Sequence, residues 1–164
     1  MQIGNNEPLS QSQINSARRV VSEFGEVAQK MIGADNQDTV DLDSSKGKVE
    51  VDFIGLGKNE RGKYSGSVTY DPQTSEVKEL FVTRNYDKKD GVGVNYALHS
   101  HEDNTVSYRR DDMYQEFPMC RSIEEVVVDK GTGEIKSYEA YEERDDYMPP
   151  MGGGDSDYYL FGNP

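Results

Sequence analysis

The only two histidines of this 164-residue chain lie two positions apart, in His99-Ser100-His101, and Glu102-Asp103 follows at once. On an extended strand, residues i and i+2 project from one face. Both imidazoles could therefore grip one divalent metal ion, with Glu102 or Asp103 at the ensuing turn completing the site. The plainer expectation is two exposed histidines at a strand end. Cys120, the single cysteine, precedes Arg121, whose charge would favour the thiolate, and a strand could bring it near His99. No spacing marks it as a nucleophile, so a buried thiol is expected. Among 31 acidic residues, no pair is singled out for glycoside chemistry. Gly55-Leu56-Gly57 and Gly91-Val92-Gly93 do not open onto helices, so no phosphate cradle is expected. Arg109-Arg110-Asp111-Asp112 reads as a solvated strand end or loop. No complete catalytic set emerges, which argues against an enzyme.

The run of Gly93, five residues, His99, one residue and His101 resembles the opening of the cupin metal motif. That resemblance implies a metal-ligand role for the two histidines. The cupin Glu, however, would fall on Thr105 or Val106, and the chain has no third histidine. His-x-His-x-Asp also resembles metallo-β-lactamase-fold hydrolases. Their next histidine is Asn104 here, and the chain is short for that fold.

The elements that must position these residues begin with a helix. Ile14, Ala17, Val21, Phe24, Ala28 and Met31 recur at spacings of three and four, an apolar stripe over five turns, with Arg18, Arg19, Glu26 and Lys30 on the opposite side. Ser10 and Gln13 have the capping-box spacing, and Gly33 stands where a helix stops. The spacing predicts a helix over about 11–32, followed by a linker over 34–47. The period then changes from 3.6 to 2. Val49, Val51 and Phe53 alternate with Glu50 and Asp52; Tyr64, Val68 and Tyr70 share a face, as do Val92, Val94, Tyr96 and Leu98. Further strands are expected over 77–86, 105–110, 122–128 and 135–142. Turn residues bound each one, and no segment between them could form a crossover helix. Seven short strands joined this way form an antiparallel meander.

Two hairpins look alike. Val68-Thr69-Tyr70-Asp71-Pro72-Gln73-Thr74-Ser75-Glu76-Val77-Lys78 aligns with Val126-Val127-Val128-Asp129-Lys130-Gly131-Thr132-Gly133-Glu134-Ile135-Lys136, with Asp, Thr, Glu and Lys in register. Because the similarity stops there, convergent turn chemistry is the reading. A helix followed by strands with such a hairpin resembles, over the hairpins alone, PepSY-type domains, which are often inhibitory or regulatory modules.

The net charge is −13, which disfavours nucleic-acid binding because phosphates would be repelled. Residues 139–164 carry seven acids against Arg144, whereas residues 1–33 are balanced. Beyond Asp145, Met148-Pro149-Pro150-Met151 and Gly152-Gly153-Gly154 break the strand pattern. Tyr158-Tyr159-Leu160-Phe161 follow, too apolar for a segment with nothing to dock on. They are expected either as a last strand or as a partner-binding motif. Eleven tyrosines and no tryptophan suit half-buried sheet positions, and also binding surfaces. No apolar run approaches the roughly 20 residues of a membrane span. The start lacks the pattern of a secretory signal, and one cysteine suits a reducing compartment, so a cytoplasmic location is expected.

These observations predict one α+β domain over 1–146, with a long N-terminal helix on a twisted, roughly seven-stranded antiparallel meander over about 48–144 that can curl toward a half-barrel. Residues 147–164 form an acidic Gly/Pro tail with an aromatic end. The leading functional expectation is a non-enzymatic protein-interaction module (adaptor, chaperone-like or inhibitor), its protein partner held by a Tyr-rich sheet face and by Tyr158, Tyr159, Leu160 and Phe161. Small acidic type III secretion chaperones share this size and charge, but they carry several helices. One alternative is a metal-binding protein or metal-dependent enzyme built on His99, His101, Glu102 and Asp103. The other is a small-ligand carrier with a cavity between helix and sheet, which needs no cofactor.

Overall fold

A computed structural model describes residues 7–33, 39–43, 47–55, 63–85, 93–114 and 120–144. One helix, α1 (Gln11–Ile32), precedes eight strands: β1 (Thr39–Asp43), β2 (Lys48–Gly55), β3 (Lys63–Tyr70), β4 (Val77–Asn85), β5 (Gly93–Ser100), β6 (Thr105–Tyr114), β7 (Cys120–Asp129) and β8 (Ile135–Arg144). The strands pair antiparallel in sequence order, leaving β1 and β8 as the edges of an open sheet. This is the expected α+β meander with one strand added. β1 falls inside the stretch 34–47 that was expected to be a linker. Val40 and Leu42 do alternate with polar neighbours there, but over only five residues, and a register shift between Thr39 and Asp41 blurs the pattern further.

The helix starts and stops where local chemistry requires. Ser10 Oγ accepts from the Gln13 backbone N–H at 3.1 Å, and Gln13 Oε1 accepts from the Ser10 N–H at 2.8 Å. This reciprocal box satisfies two donors that the first turn would leave unpaired. At the other end, the Gly33 N–H closes on the Gln29 carbonyl at 2.9 Å. A 22-residue helix is about 33 Å long. That length matches the roughly 29 Å from β2 to β8, six strand spacings apart. α1 accordingly packs on strands from β2 and β3 on one flank to β6, β7 and β8 on the other.

The buried stripe is Ala17, Val20, Phe24, Val27, Ala28 and Met31. It is rotated slightly from the expected one, so Val20 and Val27 enter the core while Ile14 and Val21 lie at its margin. Against it stand Val49, Val68, Leu80, Val94 and Val126 from five strands, all fully buried. The tyrosines follow the same alternation. Tyr64, Tyr70 and Tyr96 are buried in this core, and Tyr108 and Tyr138 pack against it. Only Tyr141 among the described tyrosine side chains is exposed. The tyrosines expected to offer a binding face are therefore mostly turned toward the helix, where they fill space between it and the sheet.

Candidate functional site

The interface between α1 and the sheet contains a polar clamp. Glu23, on the helix, receives the Tyr96 hydroxyl proton in a hydrogen bond. Arg110 Nε donates to both carboxylate oxygens of Glu23, at 2.9 and 3.0 Å. Arg110 also reaches Asp112 Oδ2 at 3.3 Å. Burial pushes the Tyr96 hydroxyl far above its ordinary pKa, and the Glu23 carboxylate pushes it further. Burial, the largest single influence, would lower the Arg110 pKa, but the charge and hydrogen bond of Glu23, together with Tyr96 and Asp112, raise it further than burial lowers it, and the guanidinium stays charged. Beside this clamp, Phe24 is wedged edge-on between Tyr96 and Tyr108, with ring centroids 5.2 Å apart in each pair.

A few ångströms along the helix the interface opens into a cleft of about 570 Å³ between α1 and the strand ends. Val21, Phe24 and Ala28 line one wall, and Leu98, Val106 and Val128 the other. Arg18, Glu76, Asp129 and Lys130 stand among the lining groups. Gly25 also lines it, and a β-carbon added there would meet no atom within 4 Å. Sequence reasoning passed over Gly25, although a glycine inside a helix was itself a signal.

Two turns of the same build frame this cleft. In the β3–β4 turn, Asp71 Oδ1 accepts from the N–H groups of Gln73 at 2.8 Å and Thr74 at 3.3 Å, and Thr74 Oγ1 accepts from Glu76 at 3.2 Å. In the β7–β8 turn, Asp129 Oδ1 accepts from Gly131 at 2.8 Å and Thr132 at 3.1 Å, and Thr132 Oγ1 accepts from Glu134 at 3.2 Å. The left-handed position is Gly133 (φ 77°) in one turn and Ser75 (φ 66°) in the other. The backbone donors of Thr132 and Gly131 hold the Asp129 carboxyl below the usual range. The likeness read from sequence is thus a likeness of hydrogen-bonding, atom for atom.

The histidines do share a face, with ring centroids 4.7 Å apart. His99 lies opposite Glu79 in the register, its Nδ1 3.0 Å from Glu79 Oε2, and His101 Nε2 lies 2.5 Å from Ser107 Oγ. Asp103 turns instead to Thr105, accepting from its hydroxyl at 2.5 Å and its N–H at 3.2 Å. The Thr105 hydroxyl holds the Asp103 carboxyl below its ordinary pKa. Among the described residues, no three His, Cys, Asp or Glu side chains form a group that could hold a metal ion, so His99, His101, Glu102 and Asp103 are not assembled as one. Glu79 entered only through strand register, which no local spacing reveals.

Cys120 is buried. Pairing puts His99 in one row with Ser107 and Val127, seven residues along β7 from Cys120, or about 23 Å. The thiol and imidazole that a strand could have joined are held apart. The run Arg109–Asp112 is not a solvated end but lies within β6. Its alternate residues serve opposite faces: Arg110 turns to the helix, while Arg109 meets Glu125 at 3.1 Å, and Arg121 meets Glu143 at 2.6 Å and Asp111 at 3.8 Å. Asp111 is buried, and its Oδ1 has no hydrogen-bond partner among the described residues. Tyr158, Tyr159, Leu160 and Phe161, and the whole tail, lie outside the described residues.

No family model, no curated protein and no solved structure matches this chain. Among the described residues, no helix is long and apolar enough to cross a membrane.

Proposed function

We propose that this protein is a small binding protein rather than an enzyme, and that it takes a largely apolar small molecule into the cleft between α1 and the sheet. The observation that carries this reading is the coincidence of the cleft with Gly25. A glycine inside a helix costs about 1 kcal/mol relative to alanine. Here nothing crowds the position, so packing does not demand it; a bare backbone leaves the cleft wall open. The volume lies within the roughly 300–1,000 Å³ of small-molecule sites, and the lining is apolar with a few charged groups, as such sites require. The single cysteine suits a reducing compartment, and the cytoplasm is the location we assign.

The test is a fluorescence titration with Nile red, a neutral apolar probe, on the full chain and on Gly25→Leu. Saturable one-to-one binding by the wild type, lost in a Gly25→Leu protein with an equal or higher melting temperature, supports the reading. Absence of saturable binding, or equal binding by the folded variant, overturns it.

A further inference from the structure

We infer that His99 and His101 form a two-imidazole site for a late first-row divalent metal ion such as zinc, on the face of the sheet turned away from α1. Leu98 is buried against the helix, so its neighbour His99 projects from the opposite face, clear of the cleft. Both backbones are held in place. His99 pairs with Glu79 on β4 and with Ser107 on β6, and the His101 N–H donates to the Thr105 carbonyl at 2.8 Å.

The rings are spaced as a chelate requires. Two imidazoles sharing one ion at about 2.0–2.1 Å, with bonds about 90–110° apart, bring their ring centroids to roughly 4.5–5.2 Å. Here the centroids are 4.7 Å apart. The rings lie at 72° to each other, not stacked, and rotation about each metal–nitrogen bond leaves that angle free. Each ring is also held through one nitrogen only. The Glu79 carboxylate can only accept, so the bond of 3.0 Å puts the His99 proton on Nδ1 and leaves the lone pair on Nε2. That is the carboxylate–histidine arrangement that orients metal-binding imidazoles. His101 Nε2 is taken by Ser107 Oγ, which leaves Nδ1. Neither remaining nitrogen has a hydrogen-bond partner among the described residues. No third protein ligand stands with them among those residues, so water completes the coordination and the site is open rather than structural. Imidazole selects late transition ions over magnesium or calcium, which prefer oxygen, and the net charge of −13 draws cations in.

The chain has no other histidine and its one cysteine is buried, so few groups compete in the test. Isothermal titration calorimetry of the full chain with zinc chloride is expected to show one-to-one binding, and magnesium chloride none. The second imidazole binds the ion intramolecularly, so His99→Gln and His101→Gln are each expected to weaken zinc about a hundredfold. Glu79→Gln is expected to weaken it about tenfold at an unchanged melting temperature, as loss of a carboxylate behind a ligand does. Copper(II) bound to the wild type is expected to show two imidazoles by electron spin-echo spectroscopy. A single imidazole in that spectrum, or zinc binding that survives in the His99→Gln/His101→Gln double variant, overturns the site. Magnesium binding as tightly as zinc, or no one-to-one zinc binding at all, overturns it equally.

Discussion

Within one turn of α1 the contact between helix and sheet changes from a sealed clamp to an open cleft. Glu23 belongs to the clamp, a carboxylate shared by Tyr96 and Arg110, and Phe24 stands at the boundary, its ring closed in by two tyrosines and also lining the cleft. Gly25 belongs to the cleft, with nothing where its side chain would be. Both regions use the same helix and the same sheet face. The difference teaches that burial along this interface follows side-chain size and not hydrophobic pattern alone. The rings of Phe24 and Tyr108 bound the gap between the layers on one side, and beyond them, where the helix offers Gly25 and Ala28, the gap stays.

The largest test of that contrast is Phe24→Ala, which should join the clamp to the cleft. Removing a ring that is 1% exposed should cost about 3–5 kcal/mol, read by denaturant unfolding. Glu23→Ala comes next. It leaves the Tyr96 hydroxyl without its acceptor and the Arg110 guanidinium, whose side chain is 18% exposed, with Asp112 alone. Since partial exposure lets water compensate in part, a loss of about 2 kcal/mol is expected in the same assay. Gly25→Ala should act with the opposite sign, raising stability by about 0.5–1 kcal/mol through helix propensity, because the added methyl meets nothing. A destabilised Gly25→Ala would show that the cleft is closed in solution.

The smallest effect at neutral pH belongs to the Tyr96 hydroxyl. Its pKa is raised in the fold above the ordinary value of 10.0, so the folded state keeps the proton where the unfolded chain loses it. The stability this contributes is complete below about pH 10 and is lost as pH rises beyond that. Alkaline unfolding of the wild type should therefore be steeper than that of Tyr96→Phe, followed by circular dichroism against pH.

The two matched turns and the histidine pair mark how far local reading extends. Asp71 and Asp129 could be aligned by eye because each turn is made within six residues, and Thr and Glu in register carry the same hydrogen bonds. The capping box at Ser10 is legible for the same reason. His99 and His101 were rightly set on one face, since strand alternation is local too. Their partners were not legible. Glu79 lies 20 residues from His99, and only the register of β4 on β5 brings it there. Arg110 is the clearest miss: a run of four charges suggests solvent, yet its partner Glu23 is 87 residues away on the helix.

Periodicity, capping residues and turn chemistry by themselves determined one helix, the order of strands β2 to β8, their antiparallel pairing and, for β3 and β5, the face that is buried. Those are properties of a few neighbouring side chains against solvent. Tertiary structure decided where the helix crosses the sheet, which charges of β6 turn inward to Glu23, and that a cleft remains beside Gly25. The physical reason is that these depend on how the summed sizes of side chains from distant segments fill the space between two layers. No window of sequence contains that sum.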